Sequence, residues 1–184
     1  MQEEKIFAGA TEEEIWQQLS QDLDRERDLL EYRAILQQQD RSIVLDIDID
    51  PGGGFESGYA LTSFTAPLKT TTSFRFSIHE QDLIEEAGKL FGMQDVVTGF
   101  PEFDKKVIVK TNDEERVKAL FAEEDARTAF EDLADFRLKI KEHDTDGSAT
   151  DTFLELKVED GITSTDQLRK LYHAFVSILM KLDS

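Results

Sequence analysis

Gly99-Phe-Pro-Glu-Phe-Asp-Lys-Lys-Val-Ile-Val-Lys-Thr-Asn-Asp-Glu-Glu-Arg-Val-Lys-Ala-Leu120 reads as an aromatic-bearing turn, a short strand and a capped helix. The strand is predicted over Lys105 to Thr111. Val107 and Val109 share a face with Phe103, while Lys106, Ile108 and Lys110 take the other, the period-two pattern of a strand with one buried side. Asn112 is expected to cap the helix that follows, with Glu115 reaching back to it. Asp113 and Glu114 place negative charge at the positive end of the helix dipole. Val117, Leu120 and Phe121 then recur at helical spacing. These signals agree on structure, and none of them carries chemistry.

Downstream, Glu123 to Ala134 predicts a short helix presenting Ala126, Ala129, Phe130 and Leu133. A hairpin follows. Phe136, Leu138 and Ile140 face inward on one arm, and Leu154, Leu156 and Val158 on the other. Arg137, Lys139 and Lys141 face outward, as do Glu155, Lys157 and Glu159. Ser164 with Gln167 caps the last helix. Its apolar face (Leu168, Leu171, Tyr172, Phe175, Val176, Leu179, Leu182) is wide enough to need covering by a sheet.

Upstream, Thr11 with Glu14 forms a capping box, and one helix is expected to run from about 11 to 38, peripheral to the domain. Arg41 to Asp50 alternates as a strand and stops at Pro51-Gly-Gly-Gly54. Phe55 to Leu68 and Thr70 to His79 are predicted as two more strands, the three forming an antiparallel meander. A helix is expected from Gln81 to Phe91, ended by Gly92, with a short strand at Val96-Val97.

The residues Pro101, Glu102, Phe103, Asp104, Lys105, Lys106, Val107 and Val109, with the turn from Asn112 to Glu115, resemble a module of bacterial domains of unknown function. The likeness extends from Leu83 to the C-terminus. It implies no assigned activity, and similar modules often sit beside a membrane-spanning segment.

The chain has 184 residues, no cysteine, 39% hydrophobic residues and 13 Phe. That is enough apolar matter for one real core, and disulfides, thiolate metal sites and cysteine nucleophiles are excluded. No apolar run approaches the ~20 residues of a membrane helix. Met-Gln-Glu-Glu-Lys at the start lacks the basic and apolar parts of a signal peptide, so a soluble, cytoplasmic chain is expected. The net charge of −19 disfavours nucleic acid and anionic lipid, and suits a basic protein partner or divalent cations. Residues 1–40 contribute −7 of this charge, 41–110 −4, 111–135 −6 and 136–184 −2.

Two acidic stretches invite a metal. Asp46, Asp48 and Asp50 have the opening spacing of a calcium loop, but Pro51 and Ser57 stand where it needs Gly and Glu. Asp144, Asp146 and Asp151 surround an Asp-Gly that also reads as a simple hairpin tip. His79, His143 and His173 are scattered. No nucleophile elbow, phosphate-binding Gly loop or dinucleotide fingerprint is present, so no catalytic or cofactor-binding residue is assigned.

The expectation is a single α+β domain over residues 1–184. A largely antiparallel sheet of about 6–7 strands would be covered on one face by helices, chiefly the C-terminal one. The function expected is a non-enzymatic interaction or regulatory domain whose acidic surface meets a basic protein partner. An alternative is a small apolar ligand or lipid site between sheet and C-terminal helix, lined by Tyr59, Phe64, Phe74, Phe76, Tyr172 and Phe175. The competing reading of those rings is core filling. A second alternative, a divalent-metal-dependent enzyme, requires Asp46–Asp50 to converge with Asp144–Asp151.

Overall fold

The computed structural model describes residues 5–26, 29–53, 57–70, 72–81, 92–145 and 149–184. The chain begins β1 (Lys5–Gly9), α1 (Glu12–Leu23), β2 (Glu31–Gln38), β3 (Arg41–Asp50), β4 (Tyr59–Pro67) and β5 (Phe76–Glu80). It continues β6 (Gln94–Val96), α2 (Pro101–Lys106), β7 (Val107–Thr111), α3 (Glu114–Leu120) and α4 (Glu124–Glu131). The hairpin β8 (Phe136–Thr145) and β9 (Ala149–Val158) and the long α5 (Thr165–Leu182) complete it. The described strands form one sheet in the order β1-β2-β3-β4-β9-β8-β5-β7-β6. All its pairings are antiparallel except β1 with β2. The fold is α+β, a single domain.

Alternation and register make one apolar face. Val109, Ile78, Leu138, Leu156, Phe64, Leu45 and Ala34 lie side by side across seven strands, each at most 2% exposed. Every described helix joins this side through ring contacts. Trp16 of α1 meets Tyr172 of α5, and Tyr172 and Phe175 both meet Phe64. Phe121, just after α3, touches Phe76, Phe103 of α2 and Phe130 of α4. The opposite face carries the polar half of each strand.

Several expectations are corrected. The helix predicted over 11–38 is α1 followed by β2. The helix ends at Leu23, and Tyr32, Ala34 and Leu36 alternate into the core as a strand. Good helix formers fill Glu31–Gln38, but hydrogen-bonded neighbours on both sides override propensity. A two-residue loop, Gln39-Asp40, joins β2 to β3, with Gln39 at φ +56°. No Asn-Gly or Asp-Gly announced that turn. The expected meander is also redrawn. It is β2-β3-β4, while β5 lies beyond the β8–β9 hairpin, paired with β7 and β8.

The turn expected at Pro101 is the short helix α2, with Pro at its start, where a missing N–H costs nothing. The cap of α3 is Asp113, which accepts from Arg116 N. Asn112 instead accepts from Arg75 N at 2.8 Å and donates to Ser73 O, tying this turn to the entry of β5. The Thr11–Glu14 box forms, with the Glu14 carboxylate taking Ala10 N at 2.7 Å. Residues 82–91 of the helix expected at Gln81–Phe91 lie outside the described residues.

Candidate functional site

The Pro-Glu-Phe-Asp motif holds structure together. Phe103 is fully buried against Phe121, ring centroids 5.2 Å apart. The Asp104 carboxylate accepts from Thr98 N, Thr98 Oγ1 and Gly99 N at 2.7–3.0 Å, closing the loop onto α2. Gly99 sits there at φ +91°, a backbone state that disfavours other side chains.

The six rings expected to line a cavity divide. Phe64, Tyr172 and Phe175 meet between β4 and α5, with centroids 5.9–6.3 Å apart, so they fill the space they were expected to border. Phe74 and Phe76 stack 5.6 Å apart, and Phe76 meets the edge of Phe121. Tyr59 belongs to the opposite face of β4. It is 54% exposed, and its hydroxyl donates to Asp48 at 2.6 Å.

The two acidic stretches stay apart. Asp46, Asp48 and Asp50 lie on a regular strand, where alternate carboxylates line up along one face rather than wrapping around a point. Arg33 pairs with Asp46, and Gly52 N donates to Asp50. Asp146 and the side chain of Asp144 lie outside the described residues; Asp151 is exposed on β9. Register separates the groups. Asp50 faces Tyr59 at the start of β4, whereas Phe153, two residues after Asp151, faces Pro67 at its end. That is roughly 25 Å at ~3.3 Å per residue. The convergence that a metal-dependent enzyme built from both stretches would need does not occur.

What the fold does build is a groove of about 770 Å³ between α4 and the first half of α5, with the start of α1 at its rim. Ala129, Leu133 and Leu171 give it an apolar floor. Its walls carry Glu12, Glu124, Asp125, Asp132 and Asp166 against Arg169, Lys170 and His173. Part of this charge is satisfied internally. Arg169 pairs with Glu13, and His173 Nδ1 lies 2.9 Å from a Glu12 carboxylate oxygen. Glu124, Asp125, Asp132 and Asp166 have neither an ion pair nor a side-chain hydrogen bond among the described residues. Glu124, Asp125 and Asp166 occupy first turns of helices, where the dipole favours them without any cation.

The sequence pointed at this place only coarsely, through the acidic density of residues 111–135. Asp166 lies outside that stretch and reads locally as an ordinary first-turn acid.

No family model, curated protein or solved structure matches the chain. No helix among the described residues is long and apolar enough to cross a membrane.

Proposed function

We propose that this chain is a non-enzymatic interaction domain that receives a basic segment of a protein partner in the groove between α4 and α5. One observation carries the reading: four carboxylates that have no ion-pair partner among the described residues line a concave surface with an apolar floor. Lysine and arginine side chains suit both parts, because their stems cover apolar surface while their heads reach the carboxylates. The acidic surround supports fast encounter with such a segment.

The test is fluorescence anisotropy with a labelled Lys/Arg-rich peptide of about twelve residues, long enough to span the groove. Saturable binding is expected, weakening as salt rises. Glu124→Gln combined with Asp132→Asn is expected to lower affinity about tenfold, with the melting temperature retained. Equal affinity for this variant and the native chain would overturn the reading.

A further inference from the structure

α4 and α5 are stitched together at one end of their seam and part at the other. Glu123, at the start of α4, accepts from Ser177 Oγ at 3.0 Å and pairs with Lys181 at 3.1 Å, both in the second half of α5. Beside the first half of α5 the two helices open into the groove, and its walls differ in sign. Glu124, Asp125 and Asp132 line the α4 side, while Arg169, Lys170 and His173 stand on α5, with Asp166 at its start. Among the described residues no ion pair crosses from one wall to the other. Arg169 pairs instead with Glu13 of α1, and His173 Nδ1 meets Glu12. Lys170 is left as a cation with no ion pair among the described residues.

Asp132 differs from the other acids. It follows the last turn of α4, where the dipole disfavours negative charge, and that turn holds no basic residue. An external cation therefore gains most there. Glu124 lies about 12 Å away along the same helix. Between them Thr128 and Ala129 are small, so another element can come close to the α4 backbone. The floor decides the form of that element. Ala129, Leu133 and Leu171 offer no hydrogen-bonding side chain. An extended segment pressed onto them would lose water from its N–H and C=O groups and find no replacement. A helix satisfies its own backbone and loses nothing there.

Resting on the reading of this groove as a docking site, we propose that its occupant is an amphipathic helix of a protein partner, with lysine or arginine along one edge and a carboxylate on the other. The basic edge lies against α4, where residues seven apart, about 10.5 Å along a helix, reach Asp132 and Glu124 together. The acidic edge meets Lys170. Small and apolar residues recurring at intervals of three and four lie between the edges and cover Ala129, Leu133 and Leu171. The two walls also fix the direction of the helix. Turning it end for end with its apolar face still down exchanges the edges and sets like charges together.

The experiment is fluorescence anisotropy of the whole chain with two labelled peptides of about fourteen residues, about four helical turns. Both carry Lys at two positions seven apart on one edge, Glu on the other, and Ala and Leu between. One is held helical by a side-chain lactam on its outward face; the other has Pro at a central outward position. The lactam peptide is expected to bind about tenfold or more tighter than the Pro peptide. Lys170→Gln, at an exposed position, is expected to weaken the lactam peptide about threefold, and to leave unchanged a lactam peptide whose Glu is replaced by Gln. Equal affinity of the lactam and Pro peptides would overturn the helix and leave the groove standing as a site for a basic segment. Unchanged affinity of the lactam peptide for Lys170→Gln would overturn the acidic edge. No saturable binding of these peptides or of the Lys/Arg-rich peptide would overturn this inference and the docking site together.

Discussion

Asp104 shows how one carboxylate can hold a loop. It gathers two backbone N–H groups and a hydroxyl from Thr98 and Gly99, and Thr98 is itself buried. Removing it leaves those donors without a partner, so Asp104→Ala is expected to destabilise the fold by about 2 kcal/mol, read as a lower urea midpoint at unchanged slope. Gly58 marks a different single-residue constraint. A Cβ there would stand 2.4 Å from the Asp50 carbonyl oxygen, a backbone atom with no freedom to swing away.

At the scale of elements, the first parallel pair depends on a small polar lock. Lys5 of β1 donates to Asp22 of α1 at 2.8 Å and to Glu26 at 2.7 Å, and the Tyr32 hydroxyl of β2 donates to the same Asp22 oxygen. Burial pushes the Asp22 carboxyl up, but the Lys5 and Tyr32 hydrogen bonds outweigh it and hold the group below its ordinary 3.8. A carboxyl lowered by folding contributes stability above its unfolded value and loses it as pH falls through the folded one. Burial likewise raises the Tyr32 hydroxyl, helped by its bond to Asp22, so this contribution weakens as pH climbs above about 10. Asp22→Asn should therefore flatten the loss of stability below about pH 4, measured as melting temperature against pH. A variant with the same acid limb as the native chain would show that the lock contributes nothing.

For the whole molecule, one sheet and one hydrophobic cluster imply one cooperative unit. Trp16, the sole tryptophan and 5% exposed, reports from α1 against α5. Its fluorescence and far-UV circular dichroism are expected to trace coincident unfolding curves; two separated transitions would show that the edges of the sheet melt independently. A net charge of −19 also repels itself. Raising salt from about 0.05 to 0.5 M should lift the melting temperature by a few degrees, because screening removes more repulsion than it takes from exposed ion pairs.

Period-two and period-3.6 patterns are local, so the letters alone determined which side of most strands and helices faces the core. Ile43, Leu45, Phe136, Leu138, Leu154 and Leu171 all lie where alternation or helical spacing put them. The pattern failed at Glu31–Gln38, where helix-forming side chains sit in a strand held by neighbours that local spacing cannot announce. Arg137 and Lys139 were legible as outward residues, but the neighbours that they meet on β5 and β9 were not, because alternation names a face and never a neighbour. The same holds for the groove: first-turn acids on α4 and α5 become one acidic wall only when those helices lie side by side. Strand order and helix adjacency come from long-range pairing and the sharing of one buried face, and only the tertiary structure decided them.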